Sequence, residues 1–178
     1  MEYKTYSHNP PHLFLDRTSY FITGGTHKKQ AFWLDDDRKH ILLDTIKVWF
    51  NKYNWDTEVW AIFNNHYHIL GYCNRGAVLS SLIRKIHGRS ATLLNKLDGC
   101  QGRQVWWNYW DRCIRSEKDF WAYLYYILWN PVKHRLVSHP EQYKWPSYKQ
   151  TMEKYELKEI EKGKDLIQKL GYESFDSF

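Results

Sequence analysis

The chain has 178 residues and carries 26 Lys and Arg against 20 Asp and Glu, a formal net charge of +6 at pH 7. This length suits one domain with a full hydrophobic core. Residues 151–178 hold five basic and seven acidic residues, so the positive excess lies in the first 150 residues. A basic body favours a polyanionic partner, although a lysine-rich soluble surface explains the charge equally well. No apolar run approaches the roughly 20 residues of a membrane span, so no membrane association is expected.

The cysteines and the N-terminal segment indicate the compartment. Cys73, Cys100 and Cys113 are widely spaced, and no C-x-x-C pair occurs. Neither a disulfide framework nor a zinc knuckle is therefore indicated. The first residues are polar and contain prolines, without the apolar segment of a signal peptide. We expect a cytoplasmic protein.

Hydrophobic periodicity predicts the order β-α-β-β-α-β-α, followed by a charged C-terminal helix. The strands are predicted at residues 19–26, 57–63, 66–73 and 105–115, and the helices at 35–53, 78–97, from about 116 and at 152–170. Ser116 and Asp119 resemble a capping box, and Pro131 is expected to end the third helix. The apolar face of the second helix is expected to extend to Leu97. This order predicts an α+β domain of the split βαβ kind, with a mostly antiparallel sheet.

His66 and His68 are separated by one residue within the predicted strand 66–73. Successive side chains of a strand alternate between its faces, so both imidazoles project from one face and Tyr67 from the other. Two imidazoles on one strand can hold a divalent metal. The same pattern is typical of two partly exposed histidines beside a hairpin turn, here Asn64-Asn65, so the pair alone does not establish a metal site.

Tyr126 and Asn130 lie four residues apart in the predicted third helix and therefore share a face. The buried stripe of this helix is expected from other residues, so the pair is predicted on a separate face. That stripe comprises Phe120, Tyr123, Leu124, Ile127 and Leu128. Tyr126 is a candidate nucleophile and Asn130 a third metal ligand, with a packed tyrosine and a helix-capping asparagine as the alternative. Tyr125, about 100° away around the helix, is the rival nucleophile.

These residue types together suit phosphodiester chemistry. A metal held by His66, His68 and Asn130 would polarise a non-bridging oxygen and stabilise the leaving 3′-oxygen. Attack by Tyr126 would give a covalent 5′-phosphotyrosine and a free 3′-hydroxyl, a step that a second 3′-hydroxyl can reverse. No Gly-rich phosphate loop is present, and this chemistry needs no ATP.

The same residues resemble a known family, the single-tyrosine transposases of the HUH endonuclease class. Residues 62–70, with His66-Tyr67-His68, resemble that family's His-hydrophobic-His strand. The other similar segments are 87–91 in the second helix, 110–120 at the entry to the catalytic helix, 126–134 at its end and 143–148 in the turn that follows. The resemblance extends from about Tyr20 to Tyr148 and is closest to the REP-associated branch.

The resemblance implies a ferredoxin-like antiparallel sheet, Mg²⁺ or Mn²⁺, and single-stranded DNA, often beside a hairpin. A cytoplasmic protein of this kind would be nucleoid-associated when bound to DNA. It places the nucleophile at Tyr126 and the metal ligands at His66, His68 and Asn130. Residues 1–150 would form the transposase domain and 151–178 a C-terminal helical extension. Relatives act as monomers or as homodimers. Many of them have proline where this chain has Asn64. Many also have an aliphatic residue where this chain has Tyr67, and only a packing effect is expected from Tyr67.

Basic and aromatic side chains supply candidate DNA contacts. The predicted phosphate contacts are Lys28 and Lys29 after the first strand, Arg84, Lys85 and Arg89 on the second helix, and Arg112 and Arg115 before the third helix. Exposed members of Trp106, Trp107, Trp110 and Trp129 could stack on unpaired bases. For each residue singly, solvated charge or buried indole is the competing interpretation.

Three functional classes fit the sequence. The first is a single-strand transposase or nickase, and the second is a catalytically silent protein that binds DNA or RNA hairpins on the same scaffold. The third is an unrelated metal-dependent hydrolase that uses His66 and His68. The presence of all four residues, His66, His68, Tyr126 and Asn130, favours the first class over the second. The third would need a carboxylate base, and neither Asp111 nor Glu117 has a spacing that marks this role.

Overall fold

The structure, a computed structural model, describes residues 3–6 and 9–170. Its strands are β1 Tyr3–Tyr6, β2 Asn9–Leu13, β3 Thr18–Thr26, β4 Trp55–Ile62, β5 His66–Cys73 and β6 Trp106–Cys113. Its helices are α1 Asp36–Lys52, α2 Leu79–Leu97, α3 Glu117–Lys133, α4 Tyr148–Lys154 and α5 Leu157–Leu170. In this part of the chain, no helix is both long and apolar enough to cross a membrane.

The central sheet has four strands in the order β4-β5-β3-β6, and each neighbouring pair is antiparallel. The element order β3-α1-β4-β5-α2-β6 places two split βαβ units in one sheet, which is the ferredoxin-like arrangement. The predicted α+β fold is therefore confirmed. β1 and β2 form a separate antiparallel pair in the proline-containing segment, where no strand was predicted.

The two faces of the sheet carry different layers. On β3, Tyr20 and Ile22 pack with α1 and α2, whereas Phe21 between them packs with α3 on the opposite face. α3 lies between the sheet and α5, so it is covered on two sides. A Cβ atom at Gly163 of α5 would lie 2.6 Å from Cβ of Tyr125, so the absence of a side chain lets α5 approach α3 closely. This packing positions the residues of α3 over the sheet.

Side-chain caps start two of the helices. Asp35 accepts a hydrogen bond from the backbone N–H of Arg38 at 2.9 Å, before α1. Ser116 accepts one from the backbone N–H of Asp119 at 3.1 Å, before α3. Each cap satisfies a donor that the first helical turn leaves without an intrahelical partner. The predicted start of α3 at Ser116 is thereby explained.

The predicted end of α3 was wrong. The helix continues through Pro131 to Lys133, and the backbone carbonyl of Asn130 accepts a hydrogen bond from His134 N–H at 2.9 Å. Proline removes one helical donor, but burial of this turn against the sheet outweighs that loss. Asn130 therefore lies inside the helix and is not its cap.

Two further predictions were wrong. Leu97 is exposed, because α2 ends there and extends beyond the core. The single helix predicted over residues 152–170 is two helices, α4 and α5, separated at Tyr155 and Glu156. The Tyr155 hydroxyl donates a hydrogen bond to Glu58 of β4 at 2.8 Å, which fixes the break against the edge of the sheet.

Candidate active site

β5 presents two histidines on the sheet face that α3 covers. Nδ1 of His68 lies 2.8 Å from Oγ1 of Thr23 on β3, and Nδ1 of His66 lies 2.7 Å from Oδ1 of Asn65. A tautomer that donates from Nδ1 carries its lone pair on Nε2, the atom that can bind a metal. The two ring centroids are 4.9 Å apart. The predicted shared face is therefore observed, and each ring is oriented through the same nitrogen.

Aromatic rings hold both imidazoles in place. Phe63 stacks on His66 with centroids 4.4 Å apart and an interplanar angle of 11°. Phe21 stacks on His68 at 5.5 Å and 22°. His68 is fully buried, so its orientation is set by packing as well as by its hydrogen bond. Neither phenylalanine was recognised from the sequence, although Phe63 lies within the motif that contains the histidines.

Tyr126 of α3 lies directly beside His68. Its ring centroid is 5.3 Å from that of His68 and 5.8 Å from that of Phe21, both in edge-on geometry. Tyr125 instead stacks on Trp129 at 4.5 Å on the side that α5 covers, and burial raises its pKa. Of the two tyrosines, it is Tyr126 that faces the histidines.

Asn130 lies one turn beyond Tyr126 and is 1% exposed. Neither its Oδ1 nor its Nδ2 has a hydrogen-bond partner among the described residues. A buried amide without partners costs free energy unless something binds it, which marks this position as a candidate ligand site. The expected separate face for Tyr126 and Asn130 was wrong, because both are buried and α3 is apolar around most of its circumference.

Two residues near the end of α3 join this group, and neither was assigned a role from the sequence. The ring of His134 lies 5.5 Å from that of His66 and 5.4 Å from that of Phe63. Nζ of Lys133 lies 5.1 Å from the ring centroid of Tyr126. The spacing of four residues between Asn130 and His134 was the signal that could have found the histidine.

The opposite face of β5 is occupied by Tyr67. Its hydroxyl lies 3.0 Å from Nε2 of His87 on α2, and that imidazole stacks on Trp106 at 4.3 Å and 8°. Burial raises the pKa of Tyr67 and lowers the pKa of His87 to about 3. The expectation that Tyr67 packs away from the histidine pair matches its position.

The predicted metal ligands, two histidines and one asparagine, include no carboxylate or thiolate side chain. Among the described residues, no group of three or more His, Cys, Asp or Glu side chains has metal-binding spacing. A site on this face would therefore combine the two imidazoles with the amide of Asn130. This donor set contains two nitrogens and one oxygen.

The predicted DNA contacts divide between the two faces. Arg112 lies on the candidate-site face, with its guanidinium carbon 5.9 Å from the ring centroid of Tyr123. Lys85 and Arg89 lie on α2 across the sheet, where Nζ of Lys85 is 5.6 Å from the ring centroid of Trp49 and Arg89 lines a groove beside that ring.

The remaining predicted contacts are exposed. They are Arg84 on α2, Arg115 beyond the end of β6, and Lys28 and Lys29 after β3. The structure therefore brings Tyr126, His66 and His68 together, with Asn130 buried one turn further along α3. It leaves the basic residues of α2 on the far side of the sheet. Of the four tryptophans proposed for stacking, Trp107 is 66% exposed and Trp106 is buried.

These observations define an α+β domain with a ferredoxin-like antiparallel sheet and a tyrosine-bearing helix over two of its histidines. A solved structure of a REP-associated tyrosine transposase bound to a REP hairpin shares this fold, with a TM-score of 0.64, 20% identity, and coverage of 83% of this chain and 82% of that chain. A putative transposase from Deinococcus radiodurans R1 gives a TM-score of 0.48 and 12% identity, over 68% of this chain and 90% of that chain. No family model and no curated protein matches the sequence. The first likeness confirms the fold implied by the resemblance to tyrosine transposases.

Proposed function

We propose that the protein nicks and rejoins single-stranded DNA through a covalent tyrosine intermediate, as in transposition of hairpin-flanked elements. The observation that carries this proposal is the contact between Tyr126 and His68. One helical turn away, the amide of Asn130 has no hydrogen-bond partner within residues 3–6 and 9–170. The likeness to a REP hairpin-bound transposase supports a DNA hairpin as the substrate. The single-stranded flank is part of the proposal.

His66, His68 and Asn130 fit a divalent metal. Both histidines are oriented through Nδ1, as ligating histidines commonly are, and Asn130 offers a buried oxygen. Two imidazoles with one amide oxygen suit Mn²⁺ better than Mg²⁺, which prefers oxygen ligands. When bound, the metal would polarise a non-bridging phosphate oxygen and stabilise the departing 3′-oxygen.

Tyr126 supplies the nucleophile in this proposal. Its hydroxyl gives its proton to water, and its oxygen forms a bond to phosphorus while the bond from phosphorus to the 3′-oxygen breaks. The departing 3′-oxygen takes up a proton from water, so protons and charge balance. The ammonium of Lys133 lies over the ring of Tyr126 and supplies a positive charge that would attract the phosphate.

A single copy of the chain contains the whole proposed site. Tyr126 contacts His68 of its own chain, so no partner helix is needed to complete the constellation. This arrangement supports a monomer over a homodimer that exchanges helices. Gel filtration during turnover would test it, because an active protein that elutes only as a dimer would contradict a monomeric enzyme.

One observation favours a catalytically silent hairpin-binding protein as the second candidate. Tyr126 is only 4% exposed, so a phosphodiester reaches its hydroxyl only if neighbouring side chains move. If they do not move, the fold and the basic surface would still bind DNA. The two candidates therefore differ in whether Tyr126 becomes covalently linked to DNA.

The test is formation of an SDS-stable protein–DNA adduct with Mn²⁺. The probe is a pool of labelled DNA hairpins with single-stranded flanks of varied sequence. We expect an adduct with the wild-type protein and none with Tyr126→Phe, which removes only the hydroxyl oxygen. Tyr125→Phe is the matched control and should retain the adduct.

The other outcomes decide between the candidates. Retention of DNA without any adduct would support the hairpin-binding protein and overturn the nickase. An adduct that persists in Tyr126→Phe but is lost in Tyr125→Phe would move the nucleophile to Tyr125. Hydrolysis of the strand without a covalent intermediate would support the metal-dependent hydrolase.

A further inference from the structure

A surface pocket lies where β3 ends and β6 begins, and we call it the Trp107 pocket. It has a volume of about 440 Å³ and is lined by Gly25, His27, Lys28, Lys29 and Trp107, among others. The indole of Trp107 is 66% exposed, more than any other large apolar side chain in the described part of the chain. This exposure leaves an aromatic face open to a ligand at the pocket.

A β-bulge in β6 includes Trp107. Gly24 pairs with Tyr109 and Thr26 pairs with Trp106, so Trp107 and Asn108 together oppose the single residue Gly25. The extra residue breaks the regular alternation of side chains along β6. The bulged segment lies on the edge strand β6, where Trp106 is buried in the core and Trp107, the next residue, is exposed.

The other wall of the pocket is basic. The backbone N–H of His27 donates to Val105 O at 2.8 Å, which ties the loop after β3 to the start of β6. Lys28 and Lys29 follow, both exposed, with φ of 52° and 55° in the left-handed region. Residues other than glycine adopt this left-handed backbone region rarely, so the turn at the two lysines is an unusual local conformation.

The Trp107 pocket adjoins the candidate active site. Gly25, which lines the pocket, pairs with His66 in the register of β3 and β5. The backbone N–H of Thr26 donates to Asn65 O at 2.9 Å, and the side chain of Asn65 orients His66. Because Gly25 has no side chain, the surface between His66 and the bulge carries only backbone at that position.

We propose that the Trp107 pocket binds one unpaired nucleobase of the strand that enters the active site. Base stacking on an exposed indole is strong and tolerates any base, and two lysines beside it suit the flanking phosphates. This inference rests on the proposed function for the identity of the strand. It adds a subsite that holds a nucleotide next to the scissile phosphate by stacking.

The test uses photo-cross-linking, which needs no catalysis. Single-stranded oligothymidylate with one 5-iodouracil is irradiated with the protein, and the linked peptide is identified by mass spectrometry. We expect the cross-link at Trp107. Binding should weaken about tenfold in Trp107→Ala and remain near the wild-type value in Trp107→Phe, which keeps an aromatic face.

Two controls separate stacking from general effects. Leu157→Ala, which truncates an exposed apolar residue at the start of α5, should leave binding unchanged. Each phosphate contact on a single strand contributes about 0.7 to the magnitude of the slope of log K against log salt. The double variant Lys28→Gln and Lys29→Gln should therefore reduce the magnitude of that slope by about 1.4.

Each outcome separates this inference from the proposed function. A Trp107 cross-link without a Tyr126 adduct would keep the subsite and reject the nickase. A Tyr126 adduct with undiminished binding by Trp107→Ala would keep the nickase and overturn the subsite. Absence of any single-strand binding would overturn the subsite as well, and would point to a protein partner for the exposed indole.

Discussion

Nδ1 of His68 lies 2.8 Å from Oγ1 of Thr23, across the pairing of the two central strands. Both residues are fully buried, and they are direct partners in the antiparallel register. The hydroxyl therefore fixes the ring orientation of His68 from the neighbouring strand. A partner of this kind usually determines how well a histidine binds metal.

Thr23→Val replaces that hydroxyl with a methyl group of similar size. We expect Mn²⁺ to bind about 10- to 100-fold more weakly, because His68 loses the group that orients its ring. Isothermal titration calorimetry would measure the affinity, with Thr23→Ser as the control that keeps the hydroxyl. Equal Mn²⁺ affinity in the valine variant would show that packing on Phe21 alone is enough to orient the ring of His68.

Asn130→Leu tests the partnerless amide. Without metal, we expect the free energy of unfolding to stay equal or to rise by about 1 kcal/mol, because a buried amide without partners is replaced by an apolar group. With Mn²⁺, the stabilisation seen in the wild-type protein should be lost. Urea unfolding in EDTA and in Mn²⁺ would measure both effects. A loss of several kcal/mol in EDTA would instead reveal a structural role for the amide.

Gly24→Ala and Gly88→Ala form a matched pair with opposite expected signs. A Cβ atom at Gly24 would lie 2.6 Å from Cζ of Tyr67 and 2.8 Å from Nε2 of His87, whereas one at Gly88 meets nothing within 4 Å. We expect Gly24→Ala to lower the free energy of unfolding by about 2 kcal/mol through overpacking. Gly88→Ala in α2 should raise it by about 0.5–1 kcal/mol. Thermal or urea unfolding would measure both changes in the free energy of unfolding. No change in Gly24→Ala would show that Tyr67 can move aside to accommodate the added Cβ atom.

His87 makes stability depend on pH. Burial lowers its pKa to about 3, whereas a histidine in the unfolded chain has a pKa of about 6.5. Between these values the unfolded state binds a proton that the folded state does not. Stability is therefore retained above about pH 6.5 and falls at lower pH, by at most about 1.4 kcal/mol per pH unit.

His87→Gln is the matching control for that pH dependence. It keeps a side chain that can bond the Tyr67 hydroxyl but cannot titrate in this range. Urea unfolding at about pH 7 and about pH 5.5 should show a smaller decrease for the glutamine variant than for wild type, by about 1 kcal/mol. Parallel decreases in the two proteins would assign the effect to other histidines.

Local sequence patterns predicted most of the fold. β5 was predicted at its observed bounds, His66–Cys73, and Asn64-Asn65 marked the turn before it. The alternation of side chains along that strand placed both imidazoles on one face, because side-chain direction in a strand depends only on the parity of the position. The start of α3 followed from Ser116, whose hydroxyl caps the first turn.

The candidate site itself was only partly predictable. Tyr126 and Asn130 were chosen from their spacing, yet the expectation that they lie off the buried face failed. α3 is enclosed by the sheet on one side and α5 on the other, so its apolar residues do not mark a single stripe. His134 was missed because its proximity to His66 depends on where the helix end rests on the sheet.

The sequence by itself determined the order of the elements and the common face of His66 and His68, since both depend on short-range periodicity. Only the tertiary structure decided that Tyr126, and not Tyr125, faces His68, and that the basic residues of α2 lie across the sheet. The physical reason is that the rotation of a helix on a sheet is set by burial against elements distant in the chain, and no local pattern records it.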